Sequence, residues 1–291
     1  MAAVAGLLAL EGAARVFARP WPNLDESGLR LETLSDGPGQ GGVPGVLVVG
    51  DSIVYGEEVA YAEAYPAQLQ RMWSAVHETE PVAFVNGGVR GMTTPYGVSL
   101  LPLLLRKFQP QVVLIAFGLN DGHFSRSCVD ARMEAELMVP HCRQLLRRSR
   151  LFVGLERRWR RWDSGCTLWE GKRWEPRVSE EAFVRALEDM LEQSKRQGAA
   201  PVLLTTTPFG STFGPELDPA SRERQRQAYA VYNDLIRETA QRTGANLVDV
   251  FAGLRLAPED WRDDGLHLTP SGYRKLAEFL FSGLEPRIGV N

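Results

Sequence analysis

Residues 46–56 read VLVVGDSIVYG: four aliphatic positions, Val46-Leu47-Val48-Val49, run into Gly50-Asp51-Ser52, and a second glycine follows at Gly56. A short, β-branched apolar run that stops at a glycine reads as a strand buried on both faces, since a strand covered on one side only alternates apolar with polar residues. The turn after it delivers Ser52 to a strand-to-helix junction, where its own N–H can point toward a developing negative charge. Taken alone, Gly-Asp-Ser also reads as a plain turn with Ser52 as the helix cap.

The same rhythm continues along the chain. Apolar runs at 82–86 (VAFVN), 112–117 (VVLIAF), 202–206 (VLLTT) and 246–250 (NLVDV) alternate with amphipathic stretches at 62–76, 97–108, 179–197, 221–243 and about 271–284. Five strands interleaved with helices predict βαβ units: an α/β three-layer sandwich with a parallel sheet covered on both faces. In 221–243, Ala228, Val231, Tyr232, Leu235 and Ile236 recur at three and four residues and predict one buried face. Ser179 ahead of Glu180 and Glu181 has the form of an N-cap before an acidic first turn. One segment breaks the rhythm: 124–178 separates the third strand from its helix by far more than the usual two to six residues, and reads as an insertion. It holds eight arginines between Arg143 and Arg161, and Trp159, Trp162, Trp169 and Trp174. A small helical cap packed by its tryptophans is one reading; a lid, a glycan-stacking surface or an anionic-membrane contact is the other.

Composition narrows the function classes. A chain of 291 residues, 44% hydrophobic and 24% charged, is an ordinary globular sequence, which excludes disordered, collagen-like and coiled-coil architectures for the whole. Lys+Arg 33 against Asp+Glu 36 gives a formal charge of -3, without the basic excess that neutralises phosphates, so no nucleic-acid partner is expected. Cys128, Cys142 and Cys166 are too few for a disulfide scaffold and lack C-x-x-C spacing for zinc; one disulfide with a spare thiol, or three thiols, both fit. The N-terminal unit, 1–44, opens on the uncharged run MAAVAGLLAL, shorter than the roughly 20 residues of a membrane span, and ends in the low-complexity stretch 36–44. It reads either as a packed or loose amphipathic segment of a cytoplasmic protein, or as the tail of a longer anchor that would place the protein at the cell envelope. Membrane association through this segment or the insertion is left open, as is the oligomeric state.

Ligands of open parallel α/β sheets bind beyond the carboxyl ends of the strands, so the residues just after each apolar run carry the chemistry. Ser52 follows the first; Asn86-Gly87-Gly88-Val89-Arg90-Gly91 follows the second, with glycines that let a backbone N–H approach a ligand. Gly118-Leu119-Asn120-Asp121 follows the third, and an asparagine amide is a neutral donor suited to a tetrahedral oxyanion. After the fifth, Asp264-Gly265-Leu266-His267 sets an aspartate three residues before a histidine, a spacing that can hold Nδ1 and leave Nε2 free as a base. Each motif has a bland alternative as a turn, but a serine, two kinds of oxyanion donor and an oriented base along one sheet edge are an unlikely coincidence. His77 ends a helix and His141 lies in the insertion; His123 remains as a pocket-lining candidate, with Asp51 and Tyr55 as further substrate-binding candidates.

On these motifs the chain resembles the SGNH hydrolases, also called GDSL esterases and lipases, from Val46 to Leu284. G-D-S-x-x-x-G is met by Gly50 to Gly56, G-x-N-D by Gly118 to Asp121, and D-x-x-H by Asp264 to His267. The resemblance implies a flavodoxin-like sandwich in a catalytic domain at 45–291, with Ser52 as nucleophile, His267 as base and Asp264 as its orienter. It also implies an oxyanion hole of the Ser52 N–H, a glycine N–H and the Asn120 side chain. The family places that glycine five residues after an asparagine and two before a threonine, which selects Gly91, from Asn86 and Thr93, over Gly87 and Gly88. The implied activity is hydrolysis of a small-molecule, glycan or lipid acyl ester through a serine ester, with neither metal nor organic cofactor required. Two alternatives stand beside it: an O-acyltransferase that hands the acyl group to a sugar hydroxyl, and a non-catalytic carbohydrate- or partner-binding module.

Overall fold

The first strand, β1 (Gly45–Gly50), is buried along its whole length, as a strand between two helical layers must be. Val46 and Val48 face one core cluster while Leu47 and Val49 face the other, the two-residue alternation of a strand read on both faces. The structure is a computed structural model and describes residues 45–78, 82–125 and 175–284. The N-terminal unit, the three cysteines, and the four tryptophans and eight arginines of the insertion lie outside the described residues.

Behind β1 come a single turn α1 (Ser52–Tyr55), a 3₁₀ turn (Tyr61–Glu63), α2 (Tyr65–Val76), β2 (Ala83–Gly88), α3 (Thr94–Phe108) and β3 (Val112–Ala116). The chain continues through α4 (Glu180–Arg196), β4 (Ala200–Leu204), α5 (Pro219–Thr243), β5 (Asn246–Val248), α6 (Val250–Gly253), a second 3₁₀ turn (Pro258–Asp260) and α7 (Pro270–Leu284). Among the described residues the four strand pairings of the sheet are parallel and the strand order is β2-β1-β3-β4-β5, so the direction of winding reverses between β1 and β3. That reversal is the switch point where such sheets open a crevice. Gly50 pairs with Gly88 on one side and Ala116 on the other, and Ala116 with Leu204, which levels the carboxyl ends of the central strands.

One face of the sheet packs against α2 and α7, where Trp73 meets Phe281 edge-on at 6.1 Å; the other packs against α3, α4 and α5. The expected α/β sandwich is therefore present, with boundaries shifted for identifiable reasons. α3 begins at Thr94 rather than residue 97, because Pro95 lies in the first turn, where no N–H is needed. β5 stops at Val248 rather than residue 250, because the Asp249 carboxylate caps the Ala252 N–H and turns the chain into α6. Ser179 caps α4 as its sequence suggests, its hydroxyl accepting from the Ala182 N–H. The buried face of α5 differs from the apolar stripe: Val231 is 39% exposed, while the polar Gln225 and Asn233 are buried beside Tyr229, Tyr232 and Ile236. Asn233 earns its place with hydrogen bonds, accepting from the Thr206 N–H at 2.8 Å and donating to Tyr229 O at 2.9 Å.

At the foot of the insertion the outgoing and returning segments lie together. The Arg177 N–H donates to His123 O at 3.0 Å and the Val178 N–H to Asp121 O at 3.2 Å. Gln225 braces the departing strand end from α5, accepting from the Phe124 N–H and donating to Gly122 O. No helix among the described residues is long and apolar enough to cross a membrane.

Candidate active site

Ser52 is placed by the residues on either side of it. Asp51, in extended conformation, caps α1 by accepting the Ile53 N–H at 3.0 Å, which turns the chain as soon as β1 ends. The turn is pressed so closely to its neighbours that a Cβ on Gly88 would lie 2.3 Å from the Tyr55 nitrogen, and one on Gly50 2.3 Å from Ala116 O. Asn86 fastens the same junction, donating to Val54 O at 2.8 Å and accepting from the Gly88 N–H at 3.0 Å.

The loop before α7 brings a histidine against this serine. Asp264 Oδ1 accepts from the N–H groups of Leu266 and His267 at 2.9 and 3.0 Å, folding the four residues into a turn. Its Oδ2 lies 2.6 Å from His267 Nδ1, and His267 Nε2 lies 2.9 Å from Ser52 Oγ. An ionised carboxylate only accepts, so Nδ1 carries the hydrogen; in the neutral ring Nε2 is then bare and accepts from the serine hydroxyl. Burial works against the charged form of Asp264, but the Leu266 N–H and the two donors of His267 outweigh it and hold its carboxyl below the usual value. Arg262 ties this loop to the serine side, its N–H donating to His267 O and its guanidinium to Glu58 O.

In the loop after β3, Asn120 Nδ2 donates to Met92 O at 3.2 Å. Gly91 has φ +68° with nothing within 4 Å of where a Cβ would stand, so backbone conformation rather than space favours glycine there. Among the described residues, the N–H groups of Ser52 and Gly91 have no backbone acceptor. Asp121 is fully buried, and its Oδ1 accepts from both the N–H and the hydroxyl of Thr94, at 2.8 and 2.6 Å, latching the start of α3 to the end of β3. Arg177 donates from Nη1 to Asn120 Oδ1 at 3.3 Å and to Gly91 O at 3.1 Å.

The structure thus joins Ser52, His267 and Asp264 in one hydrogen-bonded chain, with Gly91 and Asn120 linked to each other through Arg177. The other three candidates lie differently. Asp51 is 3% exposed and lines a small pocket of about 30 Å³ with Tyr65, Thr205 and Thr206. Burial, with a smaller contribution from Asp121, pushes its carboxyl up to about 7; burial pushes Asp121 up to about 6. Tyr55 is half-buried, with the Arg90 guanidinium 4.7 Å from its ring centre. His123 Nδ1 is 2.8 Å from Ser125 Oγ, and burial followed by the Arg177 charge lowers its pKa. Thr94 and Arg177 carry no motif in the sequence. Thr94 precedes a proline, a position that foretells a helix start but not a latch, and Arg177 is one basic residue in an arginine-rich stretch.

Residues 48–275 match the model of the GDSL-like lipase/acylhydrolase family, most of the chain. The chain belongs to that family. Within it, a 77-residue stretch is 35% identical to the thioesterase 1/protease 1/lysophospholipase L1 of Escherichia coli K12, covering 26% of this chain and 35% of that protein. An arylesterase of Vibrio mimicus is also 35% identical over 77 residues, covering 26% of this chain and 38% of its own. The chain thus matches little more than a third of the length of these curated relatives. Among solved structures, a lipase/acylhydrolase from Enterococcus faecalis superposes with a TM-score of 0.58 at 19% identity, covering 84% of this chain and 97% of its own. An acetylxylan esterase from Geobacillus stearothermophilus superposes at 0.54, also 19% identical, covering 88% and 96%. At such identities the likeness is one of fold.

Proposed function

We propose that this family member is a serine esterase that hydrolyses acyl esters through a covalent acyl-enzyme. The observation that carries this reading is the unbroken path from Ser52 Oγ through His267 to Asp264, at 2.9 and 2.6 Å. Ser52 Oγ attacks the ester carbonyl carbon while its proton passes to His267 Nε2, and Asp264, still ionised, stabilises the imidazolium. The carbonyl oxygen becomes an oxyanion held by the N–H groups of Ser52 and Gly91 and by Asn120 Nδ2. Collapse breaks the bond to the leaving alkoxide, which takes the proton from His267. Water, deprotonated by the same histidine, then attacks the acyl-serine and releases the acid, returning the hydroxyl to Ser52.

In this reading residues 45–291 make the catalytic domain. The relatives' names, a thioesterase and lysophospholipase, an arylesterase and an acetylxylan esterase, support small acyl, lipid and glycan esters as the substrates to screen. The test is treatment with a fluorophosphonate, with the adduct mapped by intact and peptide mass spectrometry. A single adduct on Ser52 that His267→Ala abolishes is the expected result; a folded protein that takes up no label, or labels equally well without His267, would sink the reading.

A further inference from the structure

Arg177 has its backbone fixed first and its side chain second. The hydrogen bonds from Arg177 N to His123 O and from Val178 N to Asp121 O lay residues 177–178 along the loop that carries Asn120. From there one guanidinium nitrogen reaches both Asn120 Oδ1, at 3.3 Å, and Gly91 O, at 3.1 Å. It bridges the two loops that the proposed mechanism uses as oxyanion donors.

A primary amide has two ends that are alike in shape and opposite in polarity. At Asn120 the surroundings distinguish them. Oδ1 meets a guanidinium, which only donates, and Nδ2 meets the Met92 carbonyl, which only accepts. Turning the amide over would set NH₂ against the cation and oxygen against a carbonyl, so both bonds would become repulsive. With the amide held this way, one Nδ2 hydrogen serves Met92 and the second is left for a substrate oxygen. A cation on the amide oxygen also polarises the group and strengthens donation at its nitrogen.

We infer that Arg177 is a positioning residue of the oxyanion hole: it sets the orientation of the Asn120 amide. The role presupposes the acyl-transfer reading of the site. It differs from a substrate-binding arginine in where the loss should fall: a misoriented Asn120 weakens the transition state, whereas a missing anchor for an anionic substrate weakens binding.

The test is steady-state hydrolysis of p-nitrophenyl acetate by the full chain, with melting temperatures measured alongside, for Ser52→Ala, Asn120→Ala, Arg177→Ala, Arg177→Lys and the double variant Asn120→Ala/Arg177→Ala. Loss of the rate in Ser52→Ala ties the readout to this site; an undiminished rate there overturns the esterase reading itself, whatever Arg177 does. With the site so established, Arg177→Ala is expected to lower kcat by about 10- to 100-fold, less than deletion of the oxyanion donor itself, with KM within about twofold of the parent. The double variant should be no slower than Asn120→Ala, because there is no longer an amide to orient. A parental kcat in Arg177→Ala, a raised KM at unchanged kcat, or losses that multiply in the double variant would each overturn the inference. Arg177→Lys keeps a cationic donor against loss of fold and is expected between the parent and Arg177→Ala in kcat; a raised KM at parental kcat in it overturns the inference equally.

Discussion

Asp264 and His267 stand three residues apart and orient each other through their own turn, whereas Asn120 is held by Met92 and Arg177, 28 and 57 positions away in the chain. Its neighbour Asp121 depends in turn on Thr94, 27 positions away. The proposed base side of the site is a local constellation that needs a few turn hydrogen bonds and one close neighbour. The proposed oxyanion side is assembled from four chain segments and keeps its geometry only while β3, the start of α3 and the 175–178 segment are packed together. Function on the first side should therefore fail when its own residues are changed, and on the second side also when distant ones are.

The sharpest way to break this contrast begins on the local side. Asp264→Asn is expected to cost on the order of 10³- to 10⁴-fold in kcat, because an amide can present the wrong partner to Nδ1 and fix the wrong tautomer. Ester hydrolysis under single-turnover conditions checks this, and a loss below about tenfold would mean that the local turn does not orient the base. Asn120→Ala comes next, at about 10²- to 10³-fold in kcat with KM little changed. Thr94→Val probes the dispersed side without touching a reacting group. It leaves the buried Asp121 without one of its two Oδ1 donors and should cost roughly 1–3 kcal/mol in urea unfolding. Its kcat should also fall below that of Leu187→Ala in the core of α4, compared well below both melting transitions; equal rates would remove the distinction between the two sides.

The smallest effect concerns the buried acids beneath the serine. Asp51 and Asp121 hold their protons more tightly folded, at about 7 and about 6, than at the ordinary value of 3.8. Each therefore contributes stability that is fully present below about pH 4 and is lost as pH rises through the folded value. Asp51→Asn can still cap Ile53 but cannot ionise, so its melting temperature should gain on the parent's between about pH 4 and 7 and level off above. A constant difference across that window would show that Asp51 is already charged throughout.

The fold was readable because buried parallel strands announce themselves as unbroken aliphatic runs, and 46–50 and 112–117 lie within a residue of β1 and β3 at either end. The contact of Ser52 with His267 and of His267 with Asp264 could be anticipated because an open sheet gathers the loops leaving its strands at one edge. The burial of Asp51 and its capping bond to Ile53 were not legible, because a carboxylate at a turn can serve a substrate or a helix cap equally well in sequence. The buried face of α5 was misjudged because hydrophobic periodicity does not register Gln225 or Asn233, whose burial is offset by hydrogen bonds formed across the fold. Arg177 was invisible for a related reason: its partners are close in space only because the two ends of a long insertion meet.

That meeting has a consequence for how such a protein can be remodelled. Where the chain leaves β3 and returns toward α4, two main-chain hydrogen bonds bind Asp121 and His123 to Val178 and Arg177 like the jaws of a connector. A cassette inserted between such jaws is thermodynamically inexpensive to lengthen, since closing a flexible loop costs only about 0.6 kcal/mol more per doubling. Whatever segment is spliced there arrives beside Asn120 with its last residues already docked, while the sheet and the hydrogen-bonded trio stay as they are.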